Sequence, residues 1–133
     1  MKQDVNAVLA GLGPLIHHFE GKTVLLSGAR GFLGRYIVAT LVKINEQLVK
    51  PCHIIAMDSL LGQTDAREDW RGLQNITFIQ HDVKHNLGNS PLVVGAEHID
   101  FVRHMAGIAS PYWYQKLPLE TVSVAVDGSC TML

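Results

Sequence analysis

Between a short apolar run and a helical pattern lies Ser27-Gly28-Ala29-Arg30-Gly31-Phe32-Leu33-Gly34, with glycine at every third position. Few other segments restrict a chain so tightly. The run before it, Lys22 to Ser27, is continuously apolar at its centre and bounded by glycines, which suits a strand covered on both faces. After it, Leu33, Ile37 and Leu41 are spaced by four with Val38 and Val42 beside them, a helix that must stop before Pro51. Each glycine has a mechanical reason. Gly28 takes the tight turn out of the strand, Gly31 leaves room for backbone to approach a ligand, and Gly34 lets the helix pack closely on the sheet.

The rest of the chain repeats this alternation. Residues 1–21 form a short amphipathic lead-in, with a helix ending near Gly11 to Pro14. His53 to Asp58, Asn75 to Gln80 and Ile99 to Met105 read as further strands. A helical turn is expected around Ala66 to Arg71, and Asn86 to Gly95 is a connection. Pro118 suits the first turn of a last helix, along which Leu119, Val122, Val126, Cys130 and Leu133 keep helical spacing. The predicted class is α/β, a Rossmann-like doubly wound parallel sheet, with one incomplete domain over residues 22–133. At 133 residues the chain has room for one core and no clear second domain.

A glycine loop of this kind binds phosphate when it leaves a strand and opens a helix, because the helix end offers free N–H groups and a positive dipole. The second half of that pattern is an acid at the end of the next strand. Asp58 stands 24 residues beyond Gly34. Its carboxylate can accept hydrogen bonds from a ribose diol and repels a 2′-phosphate, which favours NAD over NADP. Arg30 is the countervailing residue, a cation in the loop that could meet such a phosphate. A methyltransferase also uses a glycine-rich loop and an acid after the second strand, but the three-residue spacing fits that alternative less well.

These residues resemble the extended short-chain dehydrogenase/reductases, and among them the NAD-dependent nucleotide-sugar epimerases, dehydratases and decarboxylases. The likeness runs from about Lys22 to Leu133. Gly28, Gly31 and Gly34, with Phe32 between them, match the G-x-x-G-x-x-G loop. Asp58 matches the ribose-binding acid and Asp82-Val83 the pair beside adenine. Asp100 to Gly107 resembles the strand D-x-V-x-H-L-A-A that passes under the cofactor. Pro118-x-Glu120-Thr121 and Gly128-Ser129-x-x-Met132-Leu133 resemble the helix that follows. Ala109-Ser110-Pro111 with its tyrosines is most similar to UDP-glucuronate decarboxylases. The resemblance implies NAD as cofactor, held by Gly28, Arg30, Gly31, Phe32, Leu33, Gly34, Asp58, Ser59, Asp82, Val83, Met105, Ala106 and Gly107. It implies a UDP-sugar substrate touching Ser110, Tyr112 or Tyr114, oxidation at C4 of the hexose, and a homodimer in the full-length form.

Three departures qualify it. Ala125 stands where the family carries Asn. Arg103 replaces an apolar residue of a strand expected to be buried. The family's catalytic Ser or Thr, its Tyr-x-x-x-Lys helix and its small substrate domain would all lie beyond Leu133, so the chain reads as an N-terminal portion with no catalytic residue of its own. A stand-alone dinucleotide-binding or sensing module without turnover is the alternative. Tyr112 and Lys116 match Tyr-x-x-x-Lys by spacing, but fall in what reads as a loop before Pro118. A compact enzyme using them is a third reading.

Composition closes off other classes. Hydrophobic residues at 47 % and charged residues at 17 % exclude a disordered tail. A net charge of -1 gives no field for nucleic acid or an anionic membrane. Cys52 and Cys130 stand 78 residues apart, which reads as two reduced thiols in a cytoplasmic protein rather than a disulfide framework. No metal site is expected. His81 and His85 are spaced by four, but His81 closes a strand. His17-His18 is a solvated pair, and His104 matches a family histidine that reads as a packed strand residue. An apolar edge beside the fourth strand is expected to promote association.

Overall fold

The computed structural model describes residues 2–61, 70, 72–87 and 98–132. Helix α1 (Lys2–Leu12) runs into a 3-10 segment over Gly13–Phe19, followed by β1 (Thr23–Ser27), α2 (Phe32–Asn45) and β2 (His53–Asp58). Then come β3 (Ile76–Gln80), β4 (Phe101–His104), α3 (Pro111–Lys116) and α4 (Pro118–Met132). The turn expected around 66–71 lies outside the described residues apart from Trp70, as does most of the connection expected over 86–95.

The four strands form one parallel sheet in the order β3-β2-β1-β4. β1 pairs with β2 from Thr23–His53 to Ser27–Met57, and with β4 from Val24–Phe101 to Ser27–His104. The alternation of a pleated strand divides the central residues between two layers. Val24, Leu26, Ile54 and Ala56 pack with Val38, Leu41 and Ile44 of α2. Leu25, Ile55, Met57 and Ile79 pack on the other side with Val83 and with Val124 and Met132 of α4. Helices on both faces explain why β1 and β2 need continuous apolar runs. Each such buried aliphatic side chain contributes roughly 1.5–3 kcal/mol.

The segment 2–19 adds Ile16 to this core, with Leu9, Leu12 and Phe19 packed against it. Ile16 is buried among Val24, Leu41 and Ile54, and Phe19 meets Phe101 at 5.4 Å between ring centroids. The end of α2 is tied to the start of β2 by the Asn45 side chain, which donates to the Cys52 carbonyl and accepts the Cys52 N–H, both at 2.9 Å. Both cysteines are free, and burial pushes the Cys52 thiol pKa up.

Four expectations are corrected. The buried stripe of α2 is Gly34, Val38, Leu41 and Ile44, whereas Leu33 is 64 % exposed. Gly34 packs against the loop, and that contact rotates the stripe away from Leu33. On α4 the buried residues are Val124, Gly128 and Met132, while Leu119, 84 % exposed, Val122 and Val126 face outward. The segment carrying Tyr112 to Lys116 is a helix, because Pro111 fits its first turn and the Ser110 carbonyl accepts the Trp113 and Tyr114 N–H groups. Arg103 is exposed because β4 is the outer strand of the described sheet.

Asp100 fastens the start of β4. Its carboxylate accepts the Thr23 N–H at 2.8 Å and the Lys22 ammonium at 2.9 Å. The Thr23 bond, followed by that from Lys22, holds its pKa below the ordinary carboxylate range.

Candidate functional site

The strand order reverses beside β1, with β2 on one side and β4 on the other. Open parallel sheets place their crevice at the carboxyl ends of the strands flanking such a point. A cleft lies there, floored by Gly28 and Gly31 of the loop and by Met105, Ala106 and Gly107 after β4.

Three glycines shape the floor in different ways. Gly28 has φ +67°, and a Cβ on it would lie 2.7 Å from the backbone of Met105 and Ala106. It therefore permits both the turn and a near contact between loop and β4 end. Gly31 is the N-cap of α2, and its N–H donates to the Gly28 carbonyl at 3.0 Å. A Cβ on Gly34 would lie 2.1 Å from the Gly28 oxygen. Its close packing is thus against the loop itself, where the sequence suggested the sheet.

The first backbone bond of α2 runs from the Arg35 N–H to the Gly31 carbonyl at 3.1 Å. The amides of Phe32, Leu33 and Gly34 precede it and have no partner within the helix. No side chain caps this end and no acid occupies its first turn. A 14-residue helix thus presents uncompensated N–H groups and a positive dipole end beside the cleft.

Asp58, 8 % exposed, also lines the cleft. Its Oδ2 accepts the Arg30 N–H and its Oδ1 the Leu60 N–H, each at 2.8 Å. Each oxygen retains a second lone pair for a ligand hydroxyl. The Arg30 guanidinium lies 4.7 Å from the Phe78 ring centroid and 5.6 Å from that of Trp70, and the residue does not line the cleft.

Of the other residues singled out in the sequence, Ser59, Asp82, Val83 and Ser110 also line the cleft. Phe32, Leu33, Gly34, Tyr112 and Tyr114 do not. Tyr112 and Lys116 do form the pair that their spacing allows. Nζ donates to the hydroxyl at 2.6 Å and lies 4.3 Å from the ring centroid. The pair is exposed and outside the cleft.

Sequence reasoning missed several lining residues. Trp113 lines the cleft beyond Gly107, together with Ile108 and Ala109. Only its place on a helix, rather than in a loop, brings it there. Lys84 and Glu120 form an ion pair across the cleft's side, and Lys84 also lies 3.5 Å from Asp82. The hydrogen bond with Glu120, then Asp82, raises the Lys84 pKa, while partial burial opposes the rise. Nothing in the spacing of Lys84 and Glu120, 36 residues apart, signals this pair. Among the described residues no group of three or more His, Cys, Asp or Glu could hold a metal ion. His81 Nε2 pairs with the His85 carbonyl oxygen at 2.9 Å. No helix among them is long and apolar enough to cross a membrane.

Comparison with known proteins bears on the family and the fold. A model of the 3-beta hydroxysteroid dehydrogenase/isomerase family matches residues 25–133. UDP-glucuronic acid decarboxylase 5 of Arabidopsis thaliana is 31 % identical over 110 residues, which are 83 % of this chain and 29 % of that protein. UDP-glucuronic acid decarboxylase 1 of Danio rerio is 27 % identical over 114 residues, 86 % of this chain and 24 % of that one. The chain therefore spans less than a third of the length of these curated relatives. The X-ray structure of Pen from Bacillus thuringiensis superposes with a TM-score of 0.59 and 25 % identity, covering 86 % of this chain and 33 % of that one. UDP-N-acetylglucosamine 4-epimerase from Methanobrevibacter ruminantium M1, in complex with UDP-N-acetylmuramic acid, gives a TM-score of 0.60. It covers 85 % of this chain and 33 % of that one, and at 22 % identity it is a likeness of fold.

Proposed function

The chain belongs to the 3-beta hydroxysteroid dehydrogenase/isomerase family of extended short-chain dehydrogenase/reductases, and we propose that it is the NAD-binding portion of a nucleotide-sugar epimerase, dehydratase or decarboxylase. One observation carries the reading: the uncapped amino end of α2 and the Asp58 carboxylate border one cleft. Free N–H groups suit a pyrophosphate, and a carboxylate with spare lone pairs suits a ribose diol. The missing Cβ of Gly31 leaves the loop open to a close ligand; such a Cβ would meet only the Gly28 oxygen, at 3.1 Å.

The residues present fit NAD. The helix end that opens at Gly31, with the free amides of Phe32, Leu33 and Gly34 just behind the lining, would hold its pyrophosphate. Asp58 would bind the adenosine ribose and exclude a 2′-phosphate by charge. Asp82 and Val83 would border adenine, and Met105 to Gly107 would support the far half. NAD supplies a hydride acceptor for C4 of a hexose. A UDP-sugar is the proposed substrate because the curated relatives are named for UDP-glucuronic acid. Ser110 and Trp113, which line the same cleft, would meet that sugar. No proton transfer is assigned to this chain's own residues. A homodimer of the longer form and a cytoplasmic setting belong to the same reading.

Calorimetric titration of the 133-residue chain with NAD and NADP tests it. NAD should bind more tightly, and Asp58→Asn should narrow the preference by about tenfold or more, since bonds to a charged group contribute about 1.5–3 kcal/mol. Equal affinity for NADP, or no binding of either, would overturn the reading.

A further inference from the structure

Ser27 and His104 face each other as register partners on β1 and β4, each directly preceding a segment that floors the cleft. Ser27 is completely buried. Its Oγ accepts the Met105 N–H at 3.1 Å and the Ala106 N–H at 3.3 Å, and lies 2.7 Å from His104 Nδ1. A hydroxyl has two acceptor lone pairs and one proton. Two amides occupy the lone pairs, so the proton goes to Nδ1. The imidazole must then accept at Nδ1 and carry its N–H at Nε2. On its other side, Cε1 and Nε2 lie 3.3 Å and 3.4 Å from where a Cβ of Gly128 would be, so the ring is held against α4.

The two amides that Ser27 receives belong to the segment that floors the cleft. The same segment passes 2.7 Å from the missing Cβ of Gly28. The hydroxyl thus ties the backbone after β4 to the end of β1 beside the glycine loop, together with the Ser27 carbonyl, which also accepts the Met105 N–H at 3.3 Å. We propose that Ser27 and His104 are positioning residues of the nucleotide cleft. The imidazole fixes the hydroxyl, and the hydroxyl holds Met105 to Gly107 against the loop so that the cleft has the width its ligand needs. The ligand in question rests on the dinucleotide reading above.

The test begins without ligand. Long-range nitrogen-15 NMR of the whole chain should show His104 Nδ1 without a proton and Nε2 with one. A proton on Nδ1 would overturn the proposal. Titration with NAD then separates positioning from bulk stability. Ser27→Ala and His104→Leu should each weaken binding by about tenfold, because a buried polar group is left without its partner. Ser27→Thr keeps the hydroxyl, and His104→Asn keeps an acceptor near Nδ1, so both should stay within about threefold of the parent. Losses that follow thermal stability, with no rescue by Thr or Asn, would overturn the idea. If Ser27→Ala does not fold, His104→Leu against His104→Asn decides. Should the parent chain bind no NAD, the dinucleotide reading fails. The pair is then judged by amide exchange at Met105 and Ala106, which should quicken in His104→Leu and not in His104→Asn. Equal exchange in both would end it.

Discussion

β2 and β4 flank the same central strand in parallel register, yet they are held to it in different ways. Every residue of β2 after His53 is buried, with α2 on one face and α4 on the other. β4 is exposed over Phe101 to Arg103. Polar bonds at its two ends do much of the fastening. Asp100 grips Thr23 and Lys22 at the start, while Ser27 grips Met105, Ala106 and His104 at the finish. Nearby contacts follow the same rule: Thr131 donates to the Val83 carbonyl, and Lys84 pairs with Glu120. One half of the sheet is fixed by burial, which is insensitive to detail. The other is fixed by individual hydrogen bonds, which are directional and can be removed one at a time.

The largest test of that contrast is truncation in each half. Ile55, 0 % exposed, lies on the layer shared with Met57 and Ile79. Ile55→Ala should cost about 2–5 kcal/mol, the lost transfer energy plus a cavity. Val102, 46 % exposed, is the matching aliphatic residue of β4. Val102→Ala should change stability by less than about 1 kcal/mol. Urea unfolding of both variants measures the difference. Equal losses would mean that β4 is buried in solution, for instance by association of chains along its open edge.

A smaller and sharper test uses the glycines. A Cβ at Gly34 would press on the Gly28 carbonyl and on Ala29, all backbone, so nothing can swing aside. Gly34→Ala should cost about 3 kcal/mol by overpacking and should disturb the loop. Gly107, which lines the cleft after β4, has nothing within 4 Å of such a Cβ. Gly107→Ala should leave the melting temperature within about 2 °C, for a stability change under about 0.5 kcal/mol. A Gly107→Ala variant as unstable as Gly34→Ala would show that the β4 end is tighter than its contacts indicate.

This division also marks what the sequence made legible. Lys22 to Ser27 and His53 to Asp58 read as strands because burial on both faces demands continuous apolar runs. The glycine triplet and Asp58 were readable because turn geometry and close backbone approach restrict residue type. The β4 side lacked such constraints. Arg103 looked misplaced until the strand proved to be the outer one of the described sheet. Along α4, Leu119, Val122 and Val126 had the right spacing but the wrong face, because Gly128 decides which side meets Val83 and His104. The Lys84–Glu120 pair and the Ser27 hydroxyl depend on contacts between residues far apart in the chain. Local periodicity carries no trace of them.

The smallest expected effect lies at the start of β4 and depends on pH. The Thr23 N–H and the Lys22 ammonium stabilise the charged form of Asp100, so its pKa is lower in the folded chain than in the unfolded one. A carboxylate depressed in this way contributes stability above its unfolded pKa, and the contribution is lost as pH falls through the folded value. Asp100→Asn removes the charge and keeps one acceptor oxygen. At neutral pH it should melt below the parent. The gap should narrow as the pH falls below the ordinary carboxylate range, and should shrink in high salt, because the Lys22 end of the contact is exposed and screened. Thermal melts from neutral to acid pH, with and without added salt, measure it. A gap that held constant down to strong acid would mean that the hydrogen-bond geometry at Thr23, rather than the charge, fastens β4 to β1.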